Sequence, residues 1–150
     1  MIFFNNIFRT VAIVMVACLM TGCKGTSGTP DTHPSNATVH LEKSQRWQLT
    51  AINGRDLKPT DDAVTISFNP EAGTLSGTTA CNTYSANYII QNSELKIQNL
   101  QSSDLRCPDP SMNAEERYLG LLRKANRLVV EGTTMTLYSN NREILKFGLL

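Results

Sequence analysis

Two cysteine-bearing segments constrain this chain more than any other feature: residues 75–88, LSGTTACNTYSANY, and residues 102–110, SSDLRCPDP. Each holds one cysteine, Cys81 or Cys107, at the end of a polar, strand-like run where the chain must turn. The reading is that the two segments meet and that a Cys81–Cys107 disulfide staples a small β-rich domain. The alternative is a pair of free, buried thiols that merely pack. A bridge closing a loop of roughly 25 residues stabilises by about 3–4 kcal/mol on the chain-entropy model, a large share of a small domain's stability.

The compartment supports the bridge. Residues 1–22 read as a secretory signal, with Arg9 as the positive n-region and residues 11–20 as a short, uncharged apolar run. That run is too short to cross a bilayer, which takes about 20 apolar residues. LMTGC, ending at Cys23, resembles a bacterial lipobox, which predicts cleavage before Cys23 and its acylation. The bland alternative is an ordinary signal with an incidental cysteine. Acyl chains contribute about 0.8 kcal/mol per buried methylene, so several of them hold a protein on a membrane. The expected location is the cell envelope, lipid-anchored, at the outer membrane. Cys18 then leaves with the signal, Cys23 takes lipid, and Cys81 and Cys107 remain as a pair in a disulfide-permissive compartment.

Charge narrows the partners. The chain carries 14 basic and 13 acidic residues, and losing Arg9 with the signal leaves 13 of each. A balance near zero argues against nucleic acid, which demands clustered positive charge. Residues 23–43 are rich in Gly, Ser, Thr, Pro and Asn and read as a flexible tether. Both histidines, His33 and His40, lie in it.

Residues 44–150 form the expected domain, of a size that suits one modest core. Trp47 and Leu49 open it in strand alternation, before an Asn53-Gly54 turn. Val64, Ile66 and Phe68 alternate with Thr65 and Ser67 as a half-buried strand. Residues 74–80 form the next strand, in which Gly77 marks a bulge or a close backbone approach. Tyr84, Ala86, Tyr88 and Ile90 alternate again, and Leu95 and Ile97 share a face after a turn at residues 91–93. One helix interrupts the pattern: Pro108 and Pro110 stop what precedes it, Asn113 caps it, and Glu116 stands at capping-box spacing. Its expected apolar stripe is Tyr118, Leu121, Leu122 and Ala125, with Arg123, Lys124 and Arg127 favouring its C-terminal end. Short strands at residues 128–130, 134–138 and 144–147 close the chain, with turns at Glu131-Gly132 and Asn140-Asn141. The expected fold class is mainly β with one α: a small antiparallel barrel-like or curled sheet with a single covering helix.

These residues resemble the META domain, also called the HslJ-like family. The family pattern has a W-x-L opening, a G-x-x-GCN-x-Y-x-G-x-Y segment, a T-x-MAC segment, a helix with Glu and apolar positions, and a closing β region. Here the matching residues are Trp47-Gln48-Leu49, SGTTACNTYSANY, LRCPD, then Glu116 and Leu122. Ala80 and Ala86 replace family glycines, and Asp104-Leu105-Arg106 stand where Thr-x-Met-Ala is usual. The resemblance implies a small β-barrel-like domain with one helix, frequent on bacterial envelope lipoproteins. Its best-known members are linked to heat shock and antibiotic tolerance, or to secretion and motility, without an assigned reaction.

Catalytic readings fare poorly. A nucleophilic Cys81 beside Asn82 needs a histidine held against its sulfur, and the domain has none. Two cysteines and two tether histidines lack zinc-finger spacing, so no metal is expected. Asp109, Glu115 and Glu116 read as helix N-terminal capping carboxylates rather than a catalytic cluster. No cofactor motif occurs. The most polar, aromatic-rich set near the bridge is Asn82, Thr83, Tyr84, Tyr88 and Arg106, a candidate recognition surface. Set against that, Tyr84 and Tyr88 share one strand face and suit the core. The expected function is that of a monomeric, non-enzymatic envelope protein, a protein-interaction module in stress response or maintenance. The second reading is a lipocalin-like carrier of a small apolar ligand, which needs an interior not filled by its own side chains.

Overall fold

A computed structural model describes Leu41, residues 45–58 and residues 64–150. The residues expected to form a signal, a lipobox cysteine and, but for Leu41, a tether up to residue 43 lie outside the described residues. Those described all fall in one compact unit, Pro34–Leu150.

Nine strands follow in chain order, with one helix after the sixth: β1 (Arg46–Ile52), β2 (Arg55–Asp56), β3 (Thr65–Asn69), β4 (Thr74–Thr78), β5 (Thr83–Gln91), β6 (Glu94–Ser102), α1 (Asp109–Leu122), β7 (Arg127–Glu131), β8 (Thr134–Ser139) and β9 (Arg142–Leu149). All pairings are antiparallel. The strands run β2-β1-β3-β4-β5-β6-β7-β8-β9, and β1 also pairs with β9, so the sheet closes into a ring. The expected barrel-like architecture with one helix is therefore what the described residues form.

Turn chemistry sets the registers. Three two-residue hairpin loops, Asn53-Gly54, Asn92-Ser93 and Asn140-Asn141, have positive φ at both positions (51° and 72°, 49° and 70°, 49° and 66°). That geometry matches the twist of the flanking strands, and asparagine tolerates it better than most residues. Period-2 alternation then sends Trp47, Leu49, Ile66, Phe68, Leu75, Tyr84 and Ala86 inward. β8 and β9 add Met135, Leu137, Leu145 and Phe147, each fully buried.

The ring is not uniform. β8 and β9 share six residue pairs, but β6 and β7 share only Glu94↔Arg127. That seam is fastened by Leu95 N–H to the Asn126 carbonyl and Leu128 N–H to the Ser93 carbonyl, both 2.9 Å. The connection across it is α1, which puts Glu115, Tyr118, Leu119 and Leu122 into the interior.

The helix corrects three expectations. It starts at Asp109 after Pro108, with Pro110 inside its first turn, and no side chain caps it. Proline fits there because a first-turn N–H has no intrahelical acceptor to lose. Asn113 is therefore inside the helix, not its cap. The buried face holds Leu119, while Leu121 is half-buried and Ala125 is buried beyond the helix end. α1 also ends at Leu122, so Arg123 and Lys124 fall past its last turn and Arg127 belongs to β7.

Candidate functional site

The cysteine segments meet. Cys81 and Cys107 form a disulfide with Cα atoms 6.0 Å apart and stand 26 positions apart in sequence. Cys81 ends the turn from β4 to β5, and Cys107 precedes α1, so the bridge ties the sheet to the helix's entry.

Beside it lies a buried polar junction. The Glu115 carboxyl is buried on α1 and accepts from Thr79 Oγ1 (2.5 Å), from the Asn82 backbone N–H (3.1 Å) and from Asn82 Nδ2 (3.1 Å). Asn82 is itself buried and fully used. Its Oδ1 accepts from Ser103 Oγ (2.6 Å) and from the Leu105 N–H (2.8 Å), and its Nδ2 also reaches the Leu105 carbonyl (3.2 Å). A backbone N–H can only donate, so the Leu105 contact fixes which way the amide faces. One side chain thus joins the β4–β5 turn, the segment before Cys107 and the helix. Glu115 was expected as an N-terminal capping carboxylate; it lies at the seventh position of the helix and faces inward, toward this junction.

A second polar contact crosses the core. Tyr84 donates to the Thr65 carbonyl (2.8 Å), and the Tyr84 and Tyr118 hydroxyls are 2.6 Å apart. Since the Tyr84 proton is committed to Thr65, Tyr118 is the donor in the pair. Burial raises both phenols above the ordinary value, and the neighbouring Tyr84 pushes Tyr118 further. Gly77 makes the contact sterically feasible: a Cβ there would stand 1.9 Å from the Thr65 carbonyl oxygen and 2.7 Å from the Tyr84 hydroxyl. The close backbone approach expected at Gly77 is present; the strand irregularity sits elsewhere, between Ser85 and Asn87 of β5.

Above these contacts, the outer face of β1 and β3–β6 forms a groove of about 850 Å³. Gln48, Thr65, Ser67, Ser76, Thr78 and Ser85 line it, with Thr83 and Tyr84. The expected recognition set therefore divides. Thr83 is exposed on the groove, and Tyr84 lines it only marginally, being 3% exposed. Asn82 is buried below it. Tyr88 is half-buried, edge-to-face against Phe68 at 5.1 Å, and Arg106 is exposed but outside the groove's lining. Apart from Thr83, the serines and threonines of β3, β4 and β5 were read as strand residues without a role. Their signal was the run of hydroxyls at every second, outward position.

The model of the META domain matches residues 39–149. This chain belongs to the META family. No curated protein matches it. Two solution structures share the META fold described above. One, of a protein from Burkholderia xenovorans, is 21% identical with a TM-score of 0.60 and covers 79% of this chain and 97% of its own. The other is 23% identical with a TM-score of 0.58, covering 74% and 95%. At that identity the likeness speaks for the fold alone. In this META domain the G-x-x-x-C-N run, Gly77 to Asn82, supplies both the close approach and the junction residue.

Proposed function

We propose that this chain is a lipid-anchored envelope protein whose META domain acts by binding, with a protein partner docking in the outer groove in envelope stress response or maintenance. The groove carries the proposal. It is a concave surface mostly of hydroxyls and side-chain amides, with Arg46 and Leu150 also in its lining, and such groups both donate and accept hydrogen bonds and suit a polypeptide. Chemistry is disfavoured on two counts: the bridge withholds both domain thiols, and residues 44–150 contain no histidine to serve as a base. The carrier reading is disfavoured because Trp47, Tyr84, Tyr118 and Phe147 occupy the ring's interior.

A photo-cross-linking residue placed at Ser76 in intact cells tests the docking. One dominant adduct, absent from a matching site at exposed Glu116 and lost in Ser85→Arg, is the expected result. The same adducts from both sites, or none from Ser76, would reject the groove as the docking face. The anchor is tested separately by Cys23→Ala, which should move the protein from the membrane to the soluble fraction.

A further inference from the structure

A second cleft, of about 840 Å³, opens at the weak seam between β6 and β7. Its lining is of a different kind from the groove's: Arg127, Lys96, Glu94 and the side-chain amides of Asn126, Asn140 and Asn141 are among its walls. Two basic groups against one acidic leave it one positive charge in excess.

Arg127 is the unusual member. Its guanidinium carbon lies 3.9 Å from the centroid of the Tyr138 ring, a cation–π contact that restrains the group. Its Nε is sealed from solvent and has no hydrogen-bond partner. Glu94 is opposite it in register, yet among the described residues no ion pair joins it to the Arg127 guanidinium, and Nε has no hydrogen bond. With Nε closed off, the two terminal amino groups of this guanidinium are the donors a ligand can reach, and their fork matches two parallel carboxylate oxygens. The amides of Asn126 and Asn140 are already paired at 2.9 Å, which makes the wall beside it rigid.

We propose that this cleft binds the carboxylate of a small amide-bearing acid, such as a short peptide with a free C-terminus, anchored on Arg127. The walls choose among anions. Glu94 opposes a doubly charged phosphate, whereas a monoanion leaves the cleft near neutral. The side-chain amides of Asn141 and Gln91, also in the lining, give donors and acceptors that peptide bonds require. The site is independent of the outer groove, and either can fail without the other.

The test uses the full chain, uniformly ¹⁵N-labelled, in detergent micelles, following the Arg127 Nε–H signal and the Asn140 side-chain amide. The probes are N-acetyl-Ala-Ala, the same dipeptide with its C-terminus amidated, and inorganic phosphate. The free acid should shift both signals saturably and the amide should not. Arg127→Lys, read at Asn140, should weaken the acid about tenfold or more, because an ammonium keeps the charge but loses the fork. Asn141→Asp adds a negative charge to the wall without touching the stack, and should weaken it about tenfold at unchanged melting temperature. Phosphate binding more tightly than the acid would overturn the carboxylate assignment. No saturable shift with the acid, or equal binding to the amide, would reduce Arg127 to a structural stack. Unaltered affinity in Asn141→Asp would place any binding outside this cleft.

Discussion

Gly77 and Tyr84 face each other across β4 and β5, and the slot that one leaves empty the other fills with a hydroxyl bonded to the Thr65 carbonyl. Backbone cannot yield the way a flexible side chain does, so Gly77→Ala should cost about 3 kcal/mol or more in urea denaturation. A loss under about 1 kcal/mol would mean the strands can part there at little cost. Tyr84→Phe keeps the shape but strips the carbonyl and the Tyr118 hydroxyl of their partner, for an expected loss of about 1–3 kcal/mol. The same pair sets an alkaline limit. Both phenols are raised above 10.0, chiefly by burial, so below that pH they are neutral folded and unfolded, and their contribution is whole. Above it the unfolded chain loses protons first, binds fewer than the native state, and stability falls as pH rises. The urea midpoint should drop on passing about pH 10, with a slope of up to about 1.4 kcal/mol per pH unit for each phenol. Tyr84→Phe should flatten that slope; an equal slope in the variant would point to other groups.

At the scale of elements, the strands were legible because half-buried antiparallel strands alternate, and Trp47–Leu49, Ile66–Phe68 and Tyr84–Ala86 do so plainly. Where a strand has no buried face, the pattern vanishes. β6 runs to Ser102, yet Gln98, Asn99, Gln101 and Ser102 are all exposed, and Asn99 takes a positive φ of 53°. β2 is two exposed residues and leaves no trace in the sequence. The helix start was misplaced because Pro110 looks like a stop to whatever precedes it, while a first turn accepts it. Glu115 misled for a related reason: a carboxylate near a helix start suggests a cap, and only the tertiary fold brings Asn82 and Thr79 to it. The seam between β6 and β7 holds few bonds, so the Leu95 and Leu128 amides should exchange with solvent faster than the amides shared by β8 and β9. Equal protection across the ring would contradict the uneven pairing.

For the whole molecule, the disulfide and the Asn82–Glu115 junction do one job between them. A ring with one seam of a single residue pair carries a helix in the connection across that seam, and that helix is tied to the sheet at its entry by sulfur and on its buried face by hydrogen bonds. Reduction of the wild type should remove about 3–4 kcal/mol, on the order of 15 °C in melting temperature for a domain of this size. Cys81→Ser should melt near the reduced wild type and be indifferent to reductant. Both the compartment logic and the two cysteine-bearing turns made this staple readable from the sequence; the hydrogen-bonded junction beside it was not, because Glu115 is 33 and 36 residues from Asn82 and Thr79. The measurement that bears most directly on this account is a double-mutant cycle of Thr79→Val and Glu115→Gln on the oxidised protein. If sheet and helix are locked at one junction, the two losses should fall short of additive by about 1–3 kcal/mol. Additivity within about 0.5 kcal/mol would mean that Glu115 is buried there without holding the two together.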